Sequence, residues 1–282
     1  NIVAVYFKEF LSRVLGHIGF VRMFVRWREL SIRPHPAVSR LFEKYKPDLV
    51  YATIIVNDTL DIPILREAKR RRIRTAATTR NWDNFTTFGF LLVSPDRLVV
   101  QNEFLKEQAI KLHAIPADRI RVAGFPHFDW YLKRELIIPR EEFCRKLGID
   151  PKKKIVLYGA MGDWLFSHEG EIADIFEEAA ESGMFKFSST MILRAHPSFR
   201  SPLARMKNFR HVVADSVTGV EYAVGNPAVD WNDLVHFINS VYHSDIVVTS
   251  ASTVGLDAVV FDKPVVSNNF DGASTSTYWL SA

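Results

Sequence analysis

The residues best suited to chemistry include a cluster of hydroxyl side chains at 249–253, which follows a β-branched run. This pattern predicts a buried parallel strand, a polar loop and then a helix. The orphan N–H groups and the dipole at the start of such a helix attract anions. We therefore predict that Ser252 and Thr253 bind a diphosphate, with Ser250 as a further candidate. The alternative is that the cluster only caps the helix.

Three more side chains are expected at the same edge of the sheet. His196 follows a predicted strand and could protonate or hydrogen-bond a leaving phosphate, because imidazole titrates near neutral pH. Arg194 could balance the charge of a diphosphate. Asp257, one turn into the helix, could accept hydrogen bonds from ribose hydroxyls. The alternatives are a structural histidine and a solvated helix residue.

Two glycines, Gly159 and Gly162, follow the strand predicted at 153–158. Glycine lets a backbone approach a ligand closely, so both are candidates for the donor site. Asp163 could face the same site or belong to an ordinary turn.

Another group of polar residues follows a strand in the first half of the chain. Asp83 is the candidate general base for an acceptor hydroxyl, and Asn84 could orient that hydroxyl. The alternative is an Asx-type turn. His127 is placed on the acceptor side, near the junction of two lobes. Asn57 and Asp58 are weaker candidates.

The elements that must position these residues alternate between strand and helix from Pro47, and the alternation restarts near Lys153. We predict an α/β fold of two Rossmann-like lobes with a cleft between them. The predicted domains are an acceptor-side lobe at 1–138 and a nucleotide-binding lobe at 139–282. The first lobe is short and the chain stops just after a strand, so terminal elements are expected to be missing.

A helix is predicted at 5–30, ahead of the first strand. Its apolar residues recur at helical spacing, with Arg22 and Arg26 among the basic residues between them. A basic amphipathic helix can lie on an anionic membrane surface or pack on its own domain.

Composition favours a globular protein, with 48% hydrophobic and 24% charged residues among 282. No apolar run reaches the roughly 18 residues of a membrane span. The lone Cys144 excludes an intrachain disulfide and fits a cytoplasmic location. The formal charge is only +4, and no nucleic-acid motif accompanies it, so no nucleic-acid partner is predicted.

Several absent motifs narrow the chemistry. The chain has no GxGxxG and no Walker A loop, which disfavours dehydrogenases and NTPases. It also lacks two aspartates one residue apart and any zinc-ligand spacing. We therefore predict a metal-independent reaction without a cofactor, in which a nucleotide diphosphate donor is the substrate.

The chain resembles the GT-B glycosyltransferases, and among them the CDP-glycerol glycerophosphotransferase-like and surface-carbohydrate transferases. The segments that carry the resemblance are Asn-Trp-Asp-Asn at 81–84, Gly-Phe-Pro-His-Phe-Asp at 124–129, Arg-Ala-His-Pro at 194–197, and the hydroxyl loop with Leu256-Asp257. In glycerophosphotransferases the loop commonly reads Thr-Asp-Tyr-Ser-Ser, so Ser250 replaces an acidic residue here.

The resemblance implies that the nucleotide donor binds the second lobe and the acceptor binds the first. It implies transfer of a sugar or glycerol-phosphate-like group to a carbohydrate or lipid-linked acceptor in surface polysaccharide synthesis. It also implies that no bound metal is needed, and that the basic helix contacts the inner face of the membrane.

Two alternatives remain at this point. UDP-N-acetylglucosamine 2-epimerases share the fold and a similar loop, usually with paired glycines where Ser252 and Thr253 stand here. An epimerase or hydrolase would act on the donor alone. The other alternative is a non-catalytic module that binds membrane or polymer through its basic face.

Overall fold

The computed structural model describes residues 15–16, 18–55, 60–87, 89–162, 168–197, 208–216, 230–250 and 252–268. The chain packs as two compact units, Asn1–Pro126 and His127–Ala282. In the described residues, no helix is long and apolar enough to cross a membrane.

The first unit is a four-stranded parallel sheet in the order β1-β2-β3-β4, with helices between its strands. Its core contains Leu65, Leu98 and Leu105, all of which are fully buried. The elements are α1 (Gly19–Ser31), α2 (Pro36–Tyr45), β1 (Leu49–Ala52), α3 (Asp61–Arg70), β2 (Arg74–Thr78), α4 (Asn84–Thr87), β3 (Arg97–Val100), α5 (Glu103–His113), a 3-10 helix (Ala117–Arg119) and β4 (Ile120–Val122).

The second unit is a five-stranded parallel sheet with helices packed against it. Its elements are α6 (Arg140–Leu147), β5 (Lys154–Gly159), α7 (Glu169–Glu181), β6 (Ser189–Arg194), β7 (Val212–Asp215), α8 (Trp231–His243), β8 (Ile246–Thr249), α9 (Val254–Val260) and β9 (Val265–Ser267), with 3-10 helices at Pro126–Trp130 and Arg134–Leu136 before them. The inner strands are nearly continuous apolar runs, as expected where a parallel sheet is covered on both faces.

The strand order of the second sheet is β7-β6-β5-β8-β9, so the chain changes direction across the sheet at β5. Gly159 at the end of β5 is in register with Arg194 on β6 and with Thr249 on β8. The carboxyl ends of the three neighbouring strands β6, β5 and β8 therefore lie side by side at one edge of the sheet. Open α/β sheets bind ligands at such a switch point.

The boundary between the units differs from the sequence prediction, which places it after residue 138. Packing divides the chain after Pro126, because the next residues join the second unit. The Tyr131 ring lies 5.4 Å from that of Phe261, and the Tyr131 hydroxyl donates a hydrogen bond to Asp257. Contacts between residues so far apart in sequence cannot be predicted from a local sequence pattern, so the sequence placed the boundary too late.

The predicted N-terminal helix at 5–30 is confirmed in its second half, where α1 covers Gly19–Ser31. Residues 5–14 lie outside the described part of the chain. The helix α2 (Pro36–Tyr45) was not predicted, although Pro36 stands in its first turn and the His35 side chain caps it.

Candidate functional site

A cavity of about 320 Å³ lies at the carboxyl edge of the second sheet. Its walls come from the segments that follow β5, β6 and β8, and from one face of α8. The lining residues are Gly159, Ala160, Arg194, Ala195, His196, Pro197, Asp233, Leu234, Phe237, Ser252, Thr253, Val254 and Asp257. Six of the predicted donor-site and catalytic residues are therefore brought together.

His196 lies two residues beyond the end of β6 and lines the cavity. Burial lowers the pKa of His196 below its ordinary value, because desolvation disfavours the imidazolium form. The ring is therefore neutral at neutral pH. A neutral imidazole has one N–H donor and one acceptor nitrogen, so it can hydrogen-bond a phosphate or accept a proton.

Arg194 is buried and its charge is paired within the protein. One guanidinium nitrogen lies 3.1 Å from an Asp215 carboxylate oxygen, and the other lies 2.5 Å from Asp233. The Nε2 atom of His236 lies 3.0 Å from both oxygens of Asp215. Two carboxylates therefore share the positive charge of Arg194, and its role in balancing the charge of a diphosphate stays a prediction.

The hydroxyl residues after β8 occupy three different environments. Ser252 lines the cavity, and its Oγ accepts a hydrogen bond of 3.4 Å from the Val254 N–H. Thr253 is exposed and also lines the cavity. Ser250 is buried, is absent from the cavity lining and lies beside the Tyr158 hydroxyl. The helix α9 has only seven residues, so little macrodipole is available.

The two predicted glycines have different roles. A Cβ atom on Gly159 would lie 3.1 Å from both methyl groups of Val254, so Gly159 allows α9 to pack closely on β5. Gly162 has a φ of +82° and donates a 2.8 Å hydrogen bond from its N–H to Glu169. Gly159 lines the cavity, whereas Gly162 is not among its lining residues. Asp163 lies outside the described residues.

Asp257 lies on α9, is buried and lines the cavity. Its Oδ1 atom accepts a hydrogen bond of 2.9 Å from the Tyr131 hydroxyl. The Nε2 atom of His127 lies 3.5 Å from the same oxygen. His127 was predicted on the acceptor side, but it belongs to the second unit because residues from 127 onward pack there.

Asp83 and Asn84 form a capped turn in the first unit. The Asp83 carboxylate accepts hydrogen bonds of 3.3 Å from the Asn84 amide and from the Thr87 hydroxyl. Asn84 is buried, and its side-chain oxygen accepts a 2.8 Å hydrogen bond from the Asn81 N–H. In an Asx-type turn the side-chain oxygen accepts from the backbone N–H two residues later, whereas these oxygens accept from the Asn81 N–H and from two side chains, so the Asx-type alternative is not confirmed. The role of Asp83 as a base stays a prediction, and Asn57 and Asp58 lie outside the described residues.

Three residues of this site were not identified from the sequence. Asp215 ends β7 and is in register with Arg194, so its position at a strand end was a usable signal. Asp233, in the first turn of α8, and Tyr131 had no such signal. Within the described residues, no group of three or more His, Cys, Asp or Glu side chains is arranged to hold a metal ion.

Comparison with solved structures establishes the class of fold. The UDP-GlcNAc 2-epimerase of Methanocaldococcus jannaschii superposes with a TM-score of 0.53 at 16% identity, over 86% of this chain and 65% of that chain. A second UDP-N-acetylglucosamine 2-epimerase gives 0.54 at 16% identity, over 89% and 61%. The chain is thus a GT-B fold with two Rossmann-like lobes, and it spans less than two thirds of either structure.

A third structure, the wall teichoic acid polymerase TagF, gives a TM-score of 0.43 at 14% identity, over 89% of this chain and 79% of that chain. No curated protein matches the sequence. The sequence model of one family, described as CDP-glycerol:poly(glycerophosphate) glycerophosphotransferase, matches residues 67–276. The chain belongs to this family, which confirms the resemblance seen in its motifs.

Proposed function

We propose that the chain is a GT-B transferase of surface-polymer synthesis. It moves a sugar or glycerol-phosphate-like group from a nucleotide-activated donor to a carbohydrate or lipid-linked acceptor. The observation that carries this proposal is the cavity at the switch point of the second sheet, in a member of the glycerophosphotransferase family.

In this proposal the second lobe holds the donor. Asp257 accepts hydrogen bonds from the ribose hydroxyls, while Ser252 and Thr253 donate to the diphosphate. His196 donates its N–H to the phosphate oxygen that becomes the leaving group, where charge develops in the transition state. Arg194 lines the same cavity and helps to balance the charge of the diphosphate, and its ion pair with Asp233 links β6 to α8.

The acceptor side is assigned to the first lobe. Asp83 removes the proton of the acceptor hydroxyl, and Asn84 holds the Asp83 carboxylate in place. The acceptor oxygen forms the new bond to the transferred group, and the bond from that group to the nucleotide phosphate oxygen breaks. The proton goes to Asp83 and the electron pair goes to the departing nucleotide, and no cofactor takes part.

The test is a calorimetric titration with UDP, CDP, GDP and dTDP, first without metal and then with Mg²⁺. We expect one nucleotide to bind without metal, and we expect Ser252→Ala or His196→Ala to weaken that binding about tenfold. Ser189→Ala, at the opposite end of β6, is the matched control and should bind as the wild type does.

Other results would contradict the proposal in distinguishable ways. Binding of no nucleotide would point to the non-catalytic module. Conversion of the donor without an acceptor would point to the epimerase or hydrolase alternative. Binding that requires Mg²⁺ would contradict the metal-independent part alone.

A second part of the proposal concerns the location of the protein, and it is based on the helix α1 (Gly19–Ser31). Its apolar side chains are exposed, with Phe20 71% and Trp27 59% accessible, and Met23 and Phe24 lie between them. Its polar side packs against the rest of the first unit, where Arg26 donates hydrogen bonds to the carbonyl groups of Leu91 and His113. An amphipathic helix that turns its apolar side outward has an interfacial surface.

We propose that this surface lies on the anionic inner face of the membrane, in the cytoplasm. Exposed arginines at 28 and 33 flank it and would contact lipid phosphates. A location beside the membrane would bring the enzyme to lipid-linked acceptors.

The double variant Phe24→Ser/Trp27→Ser is expected to reduce vesicle binding more than tenfold, because it removes two large apolar side chains from the lipid contact. Binding is measured by co-sedimentation with vesicles of phosphatidylglycerol and phosphatidylcholine, and it should weaken as salt rises. Phe104→Ser is the control, since Phe104 is a similarly exposed aromatic residue on α5. Equal binding by the double variant and the wild type would contradict the membrane contact.

A further inference from the structure

A short segment at 127–131, which no motif assigned to the donor site, contacts the one acidic residue of α9. The Tyr131 hydroxyl donates a 2.9 Å hydrogen bond to Oδ1 of Asp257, and His127 lies 3.5 Å from the same oxygen. All three residues belong to the second unit. The segment therefore holds one side of a carboxylate that lines the cavity.

Tyr131 is built into the protein as a fixed donor. It is only 4% exposed, and its ring packs against Phe128 and Phe261 at centroid distances of 5.7 and 5.4 Å. Burial above all, and then the neighbouring Asp257, raise the pKa of the Tyr131 phenol. The phenol therefore keeps its proton across the physiological range, and its hydrogen bond to Asp257 persists.

The other carboxylate oxygen of Asp257 is left for a ligand. Within the described part of the chain, Oδ2 has no hydrogen-bond partner, whereas Oδ1 has Tyr131. A carboxylate that is held on one side can rotate little, so its second oxygen presents an acceptor in a constant direction. A buried acceptor of this kind favours a ligand hydroxyl and penalises an analogue that lacks it.

We propose that Tyr131 is a positioning residue that makes the donor cavity select a ribonucleotide over its deoxy analogue. By holding Oδ1 of Asp257, Tyr131 directs Oδ2 at a ribose hydroxyl. The inference rests on the proposed function, because it takes the nucleotide ribose as the group that meets Asp257. Tyr131 lies outside the motifs that carry the family resemblance, and selection between ribo- and deoxynucleotides was not predicted from those motifs.

The experiment compares the ribonucleoside diphosphate that binds most tightly in the titration with its 2′-deoxy and 3′-deoxy analogues. For the wild type, we expect the ribonucleotide to bind about tenfold or more tightly than at least one analogue. Tyr131→Phe should reduce that ratio at least threefold while it keeps the packing of the ring. Tyr242→Phe is the matched control, since its ring lies 5.2 Å from Phe261 and carries no bond to Asp257.

A merely structural role for Tyr131 would change stability without changing the ratio of affinities. An unchanged ratio in folded Tyr131→Phe would therefore overturn the inference. If this variant does not fold, Asp257→Asn replaces it, because the carboxamide keeps an acceptor for Tyr131 and removes the second acceptor. Loss of the ratio in Asp257→Asn supports the inference, and an unchanged ratio overturns it.

The experiment also separates this inference from the proposed function. Equal binding of ribo- and deoxynucleotides by the wild type contradicts the proposed selectivity but does not contradict the proposed nucleotide site. Binding of no nucleotide at all overturns both.

Discussion

Replacement of His196 by alanine is expected to lower kcat/KM for group transfer at least about a hundredfold, because the leaving phosphate loses its hydrogen-bond donor. His196→Gln should retain part of the activity, since the glutamine amide can donate in place of the imidazole N–H. The measurement is nucleotide release from the donor in the presence of acceptor. His211→Ala is the control, because His211 precedes β7 at the opposite edge of the same sheet.

The pH dependence gives an independent check on the protonation state of His196. Burial lowers its pKa from the usual 6.5, so the neutral form dominates above that value. If the neutral ring is the active form, kcat/KM stays level around neutral pH and falls only as the pH drops below 6.5. A kcat/KM that rises on acidification through this range would mean that the imidazolium ring acts as the acid.

Substitution of Arg194 by methionine is the second change with a large expected effect, and the effect falls on stability. The substitution removes the guanidinium that pairs with both buried carboxylates, Asp215 and Asp233. Breaking a buried ion pair in this way costs about 3–5 kcal/mol. The free energy of unfolding, measured by urea denaturation, should fall by that amount.

Two further variants show whether the loss comes from the two carboxylates that lose their guanidinium partner. Arg194→Met combined with Asp215→Asn and Asp233→Asn should recover much of the lost stability, because the two buried carboxylate charges are removed together with the guanidinium. Arg145→Gln, at an exposed position on α6, should change it by less than about 0.5 kcal/mol. A loss below about 1 kcal/mol in Arg194→Met would show that the pair is worth no more than a surface ion pair.

The elements of the fold were largely predictable because local patterns define them. The sequence also predicts strands at 74–78 and 97–100 and helices at 103–113 and 140–147, and the structure gives each of them the same bounds. Each is a short apolar run or an amphipathic stretch between clear start and stop signals. Strand ends could then be placed at one edge of a parallel sheet, which correctly grouped His196 with Ser252 and Asp257.

The ion pairs within the site could not be predicted from the sequence. Arg194 pairs with two carboxylates that lie on different elements, and neither ion pair could be recognised from the spacing of the residues. The segment around His127 and Tyr131 falls within the predicted first lobe, which extends to residue 138. Its contacts with Asp257 join residues more than a hundred positions apart, and no periodicity records such a contact.

The attachment of α1 has a consequence for how this surface tolerates mutation. The guanidinium of Arg26 is held by the main-chain carbonyl groups of Leu91 and His113, and not by their side chains. Substitutions at Leu91 or His113 leave these carbonyl oxygens in place as long as the backbone conformation is unchanged. These contacts of Arg26 therefore tolerate sequence drift at the acceptor positions, and Arg22 makes a contact of the same kind with the carbonyl group of Lys111.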